Sequence, residues 1–245
     1  MDYREYVLSV KEKLTGALAY AGVCSIIAYF FYRSFYVFFA LLPGGFFFFR
    51  LLKRMLCEKR KKKLKDEFSE TLYSVSVNMK AGYSLENAFL EAYRDLKLFY
   101  GEKSLMAEEV MRIRKGLEIN ITLEELIEDL SYRSGVEEIK MFSDVVKSAK
   151  RNGGNITEVL SGTADRIRES ICVDAEIETI ISEKKLELRI MEGMPFLILM
   201  YLEVTSVGYF DVLYEGIRGR LFMTIALLLY IAAIILGNKI MKIKI

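Results

Sequence analysis

The sequence FSDVVKSAKRNGGNITEVLSGTADRIR, which runs from Phe142 to Arg168, decides the fold because it places an amphipathic stripe on each side of one turn. Before the turn, apolar side chains recur at helical spacing, at Ile139, Phe142, Val145, Val146 and Ala149. After it, the stripe continues through Ile156, Val159, Leu160, Thr163, Ala164, Ile167, Ile171 and Ala175. Asn152-Gly153-Gly154-Asn155 has the composition of a turn, and Asn155 with Glu158 resembles a helix cap. The segment predicts two packed helices, the second of which continues without a breaker to Gly193.

The same pattern extends toward the N-terminus. One stripe comprises Leu64, Phe68, Leu72, Val75 and Met79, and the next comprises Leu85, Ala88, Phe89 and Ala92. The expected helix boundaries are Gly82, Ser84, Gly101, Ser104, Thr122 with Glu125 as a capping box, and Gly135. Six helices fit the length of this part of the chain, and no strand pattern is present in it. The apolar stripes can form a core by packing against one another. The sequence therefore predicts an all-α bundle.

Four apolar runs flank this bundle, and each approaches the roughly 20 residues that a membrane span needs. They are residues 14–32, 34–49, 193–210 and 221–238. The second run is short and contains Pro43-Gly44-Gly45, so it is either a complete span or a re-entrant piece. A complete span is favoured because a helical hairpin returns both of its ends to one side of the membrane. The third run is interrupted by Glu203.

Lysine and arginine predict the orientation of these runs. Residues 50–65 hold nine basic residues and one acidic residue, whereas the opposite side would hold only Arg33, Arg218 and Arg220. Both termini and the bundle are therefore expected in the cytoplasm, with the chain in the inner membrane. The basic run at residues 59–65 is expected to contact anionic lipid, not nucleic acid.

The sequence contains no histidine, no P-loop, no H-E-x-x-H and no G-x-S-x-G motif. The three cysteines form no C-x-x-C pair, and acidic pairs lie at helix starts, where they favour the helix dipole. We therefore expect no catalytic residue, no metal, no cofactor and no enzymatic activity. Glu203 is expected to face another membrane subunit or a polar cavity; the alternative is a position near the outer interface or a hydrogen bond within the bundle.

Two segments carry a resemblance to a known family. The turn with its flanking helices in Phe142–Arg168, and LYSVSVNMKAGYSLENAF from Leu72 to Phe89, resemble the type II secretion F family, in particular the TadB-like platform proteins of Tad/Flp pili. The resemblance covers about residues 50–240. It implies an all-α polytopic membrane protein with four transmembrane helices and a cytoplasmic type II secretion F domain. The implied divisions are an N-terminal hairpin at 1–52, the domain at 53–190, and a C-terminal hairpin with a short tail at 191–245.

The resemblance further implies an inner-membrane platform that couples a hexameric secretion ATPase to pilin assembly. The implied partners are that ATPase, a second TadC-like platform protein or another copy of this chain, pilin transmembrane segments and membrane lipids. Expected contact residues are Asn152, Gly153, Gly154, Asn155, Glu158 and Glu203. Two alternatives stay open: a membrane adaptor or receptor without an ATPase, and a membrane transporter or enzyme. The origin can be bacterial or archaeal.

Overall fold

A computed structural model describes residues 3–4, 6–101, 104–152, 156–206, 214 and 216–241. The described residues form helices and contain no β-strand, which confirms the all-α prediction. The helices are α1 Val10–Ile27, continued by a π-helical turn at Ala28–Tyr32, α2 Phe35–Leu41, a 3-10 turn at Leu42–Gly44, α3 Gly45–Lys80, α4 Leu85–Tyr100, α5 Leu105–Glu118, α6 Leu123–Ser134, α7 Glu137–Asn152, α8 Ile156–Thr205 and α9 Gly216–Ile240.

The chain divides into two compact units. The first, which we name the helical domain, comprises Met1–Val7 and Lys53–Glu176. The second, the membrane unit, comprises Leu8–Leu52 and Ile177–Ile245. The predicted divisions at 1–52, 53–190 and 191–245 concern membrane insertion, which this grouping does not test, and they stay predictions.

The helical domain is built around the C-terminal part of α3. The predicted stripe at Leu64, Phe68, Leu72, Val75 and Met79 is buried throughout. Phe142 of α7 contacts Phe68 and Phe89, with ring centroids 5.9 Å and 6.0 Å apart. Six helices contribute to this domain in the part of the chain that is described. The periodicity therefore predicted the core correctly, because each stripe buries its apolar face against the others.

The helix ends follow the predicted residues. Gly82 has φ +97°, and the amides of Gly82 and Tyr83 donate to the carbonyls of Met79 and Asn78, at 3.0 Å and 3.1 Å. This is the Schellman pattern, in which a left-handed residue closes the last turn of a helix. The Ser84 hydroxyl accepts from the Asn87 amide at 3.3 Å, and Thr122 accepts from Glu125 at 3.4 Å. The caps fix where α4 and α6 begin.

Three described helices in the chain are long and apolar enough to cross a membrane. They are Val10–Tyr32, Phe35–Lys80 and Arg218–Ile240. The predicted third run begins inside α8, which passes through Gly193 and Pro195 and ends at Thr205, so the long helix does extend into that run. The rest of that run lies outside the described residues, and a total of four spans stays a prediction.

The interruption at Pro43 is accommodated inside the membrane unit. The backbone makes one 3-10 turn, Leu42–Gly44, between α2 and α3. The Tyr20 hydroxyl donates to the carbonyl of Leu41 at 2.6 Å. A Cβ atom at Gly44 would lie 2.6 Å from this hydroxyl oxygen, so glycine is needed for the approach. A side chain of α1 thus satisfies the carbonyl at the break, as an apolar environment requires.

Candidate interaction sites

The predicted turn is only partly described. Asn152 is the last residue of α7, and Glu158 lies exposed in the first turn of α8. Gly153, Gly154 and Asn155 lie outside the described residues. The negative charge of Glu158 is at the favourable end of the α8 dipole. The predicted roles of these residues in partner binding stay predictions.

Glu203 has partners within the chain. Its carboxylate forms an ion pair with the guanidinium of Arg33, and the Tyr29 hydroxyl donates to it at 3.3 Å. Arg33 follows the π-helical turn, adopts φ +42° and lies over the ring of Tyr214, 5.0 Å from its centroid. The pair neutralises a carboxylate that would be costly in an apolar span. The sequence pattern did not indicate that the two charges form a pair, although each interrupts an otherwise apolar stretch.

A second ion pair is buried in the helical domain. The Glu109 side chain on α5 is 1% exposed and accepts two bonds from the Arg133 guanidinium on α6, at 3.0 Å and 2.7 Å. Arg133 also donates through Nε to Asp129 at 2.7 Å. Bidentate pairs of this kind fix both position and direction. The hydrogen bond to Glu109 raises the pKa of Arg133 above its ordinary value, so the guanidinium stays charged.

The N-terminal segment occupies this site. Tyr3 is fully buried, its amide donates to the Arg133 carbonyl at 3.0 Å, and its hydroxyl donates to Glu109 Oε1 at 2.9 Å. The guanidinium of Arg60 on α3 lies 4.9 Å from the centroid of the Tyr3 ring. Burial, followed by the charge of Glu109, raises the pKa of Tyr3, so the phenol remains a hydrogen-bond donor. No local pattern in the sequence indicated this contact.

A second buried carboxylate, Glu67 of α3, caps α5. Its Oε2 atom accepts from the Ser104 hydroxyl at 3.0 Å and from the Met106 amide at 2.8 Å. Its Oε1 atom lies 3.6 Å from the Lys63 ammonium. The carboxylate thus satisfies the first turn of α5 and complements the helix dipole. Like Glu109, Glu67 organises the fold with groups of the same domain.

Charged contacts also join α3 to α7 and α8. Lys65 contacts Glu138 at 2.5 Å and Asp174 at 2.6 Å, and Lys80 contacts Asp165 at 2.9 Å. Burial lowers the pKa of Lys65, but the hydrogen bonds to Asp174 and Glu138 outweigh it, so the net pKa is raised. Three residues of the basic run, Arg60, Lys63 and Lys65, therefore have structural contacts, which the lipid interpretation of residues 59–65 did not foresee.

The described surface offers shallow grooves. One of about 320 Å³ lies between α4 and α5, and one of about 400 Å³ lies beside Arg4 and α6–α7. Within the described residues, no group of three His, Cys, Asp or Glu side chains could hold a metal ion. Glu67, Glu109, Arg133 and Lys65 are all engaged with other groups of the same domain.

Comparison with known proteins adds one match. The family model described as "Type II secretion system (T2SS), protein F" matches residues 71–202, which is more than half of the chain. The match covers the helical domain from the middle of α3 onward and continues along α8. No curated protein matches the chain, and no solved structure matches it.

Proposed function

Because the chain belongs to the type II secretion system protein F family, we propose that it is the inner-membrane platform of a Tad/Flp-type pilus or a related secretion machine. It would couple a cytoplasmic secretion ATPase to the assembly of pilins. The observation that carries the proposal is the family match over a six-helix domain whose chain continues into apolar, span-length helices. A platform needs both parts, since the ATPase works in the cytoplasm and pilin segments lie in the bilayer.

The proposed topology puts both termini and the helical domain in the cytoplasm. The lysine and arginine bias supports it. Tyr3 and Arg4 also belong to the same compact unit as Lys53–Glu176, which supports a topology in which the intervening segment leaves and returns on one side. Such a topology has an even number of crossings between Val7 and Lys53, and this supports two complete spans over one span and a re-entrant piece.

We propose that the ATPase binds the acidic stretch at residues 66–189, which covers the helical domain beyond the basic run of α3 and continues into the adjoining part of α8. This stretch holds 25 acidic and 17 basic residues, a net charge of −8. Complementary charge mainly speeds encounter and fixes orientation. Asn152, Gly153, Gly154, Asn155 and Glu158 form one candidate part of this surface, at the junction of α7 and α8.

The membrane unit would bind the remaining partners: pilin transmembrane segments, lipids, and a TadC-like second platform protein or another copy of this chain. Its helices expose many large apolar side chains, including Phe46, Leu197 and Leu228. Such faces suit lipid tails or neighbouring helices. The protein would act without catalysis, without a cofactor and without nucleic acid.

A gene deletion with complementation tests the proposal. Deletion is expected to abolish surface filaments or secretion while pilin and ATPase levels are unchanged, and the wild-type gene should restore them. If the turn contacts a partner, a complementing gene with proline in place of Asn155 and a bulky residue in place of Gly154 should restore the level of the protein but not filament assembly. Full assembly in the deletion strain would overturn the platform function.

A further inference from the structure

The N-terminal residues fill a built site in the helical domain whose purpose the platform function does not assign. Tyr3 has 0% exposure, and its amide and hydroxyl donate to the Arg133 carbonyl and to Glu109. The carbonyls of Tyr3 and Arg4 lie 3.3 Å and 3.5 Å from Cys57 Sγ, at thiol hydrogen-bond distance. The residues at this site are thus held by polar contacts to three helices, α3, α5 and α6.

Glu109 and Arg133 also bond to each other. Arg133 donates two bonds to Glu109 and one to Asp129, and none of these three bonds involves Tyr3. Two further cation–aromatic contacts hold the segment: Arg60 over the Tyr3 ring, and Arg4 over Tyr132 at 4.4 Å. Tyr3 thus donates to acceptors on α5 and α6 that are also held by their own ion pair.

The segment that follows Tyr3 is short. Only six residues, Arg4 to Ser9, separate it from Val10, where α1 and the first apolar run begin. Six extended residues reach at most about 20 Å. A displacement of the domain that exceeds the remaining slack must therefore pull on the first span or release Tyr3.

We propose that residues 3–9 are a strap that binds the Glu109–Arg133 site and ties the first span to the helical domain, so that movement of the domain is transmitted to the membrane. Binding of the strap to the Glu109–Arg133 site does not depend on which secretion or pilus machine contains the protein. Transmission of movement to the membrane rests on the proposed platform function. The long helices α3 and α8 also link the two units, so the strap is a third link. It ends at α5 and α6, which lie between α3 and α8 in the sequence.

Cys57 provides a built-in reporter of docking. In the full-length protein in detergent, with Cys24→Ser and Cys172→Ser, the thiol reacts with a maleimide when the strap leaves. Tyr3→Phe removes one bond to a charged acceptor and should raise the labelling rate roughly tenfold, because such bonds are strong; Tyr3→Ala should raise it further. Val7→Ala changes an 85% exposed side chain of the same segment and should leave the rate unchanged. An unchanged rate in both Tyr3 variants would overturn docking, and circular dichroism verifies that each variant is folded.

A longer strap tests whether movement of the domain is transmitted to the membrane, because the added residues leave the Glu109–Arg133 site unchanged. A six-residue Gly-Ser insertion between Val7 and Leu8 adds about 13 Å of flexible reach. It should leave Cys57 labelling at the wild-type rate but reduce filament assembly at least severalfold, while the same insertion between Met1 and Asp2 should have no effect. Normal assembly with the slackened strap would overturn transmission. Full assembly in the gene deletion would instead overturn the platform function and leave the labelling result intact.

Discussion

The helical domain and the membrane unit have opposite relations between apolar residues and burial. In the domain, large apolar side chains such as Phe68, Phe89 and Phe142 are almost completely buried. In the membrane unit, Phe46 is 81% exposed and many of its neighbours are exposed with it. Its buried positions are few and mostly small, such as Gly16, Cys24 and Ala28. The domain is therefore a closed core in water, whereas the membrane unit presents its apolar surface to lipid or to other helices.

The polar groups show the same contrast. Glu109 in the domain is enclosed by Arg133 and Tyr3. Glu203 in the membrane unit has partners that are exposed, Arg33 and Tyr29. The buried carboxylate of the domain is thus satisfied within its own core, whereas that of the membrane unit lies where other groups can reach it. Under the proposed platform function, the domain would keep its shape and the membrane unit would bind neighbouring helices.

The largest effect is expected from the core of the domain. Phe142→Ala should lower the free energy of unfolding by about 3–5 kcal/mol, because it opens a cavity between Phe68 and Phe89. Phe46→Ala should change it by less than about 0.5 kcal/mol. Urea unfolding of the full chain in detergent micelles, followed by circular dichroism, measures both. Equal losses for the two variants would show that the membrane unit has a closed core too.

The buried ion pair comes next. Arg133→Met leaves Glu109 without its bidentate partner and should cost about 3 kcal/mol. Adding Glu109→Met should recover most of that loss, since no buried charge is then left behind. Arg114→Met breaks an exposed pair with Glu118 and should cost about 0.5 kcal/mol or less. The same unfolding measurement distinguishes the three, and a double variant no more stable than Arg133→Met would contradict the explanation.

The membrane-unit pair should have a smaller effect. Arg33→Gln deprives Glu203 of its ion-pair partner, and the expected loss is about 1–2 kcal/mol. Exchanging the charges, Arg33→Glu with Glu203→Arg, should restore stability toward wild type. Thermal unfolding in lipid nanodiscs, followed by circular dichroism, measures the loss of stability, with Lys184→Gln at an exposed pair as the control. If the exchange is worse than either single change, the two side chains do not act as a pair.

A helix cap gives the smallest effect. Ser84→Ala removes the acceptor for the Asn87 amide and should cost about 1 kcal/mol. Ser182→Ala, at an exposed position whose hydroxyl donates to its own helix, is the matched control and should be near neutral. Hydrogen exchange of the first turn of α4 locates the loss. Protection unchanged at Asn87 would show that the cap is not what fixes this helix end.

The sequence predicted the domain well because its signals are local. Stripes at helical spacing, glycines at helix ends and hydroxyl caps each depend on a few neighbouring residues, and the structure confirms them at Leu64–Met79, Gly82 and Ser84. The long-range pairs were missed. Tyr3 is 106 residues from Glu109, and Arg33 is 170 residues from Glu203, so only the folded chain brings them together. Amino-acid composition indicates which helices contact lipid, but it does not indicate which exposed apolar face binds which partner.

The most direct test of the central claim is affinity purification of the tagged full-length protein from gently solubilised native membranes, followed by mass spectrometry. The account predicts recovery of a P-loop secretion ATPase with a pilin or a second platform protein, and loss of the ATPase alone when the acidic surface of the domain is made neutral. Repeated recovery of the chain without any of them, in cells that express the ATPase, would contradict the platform function and favour a membrane adaptor or receptor.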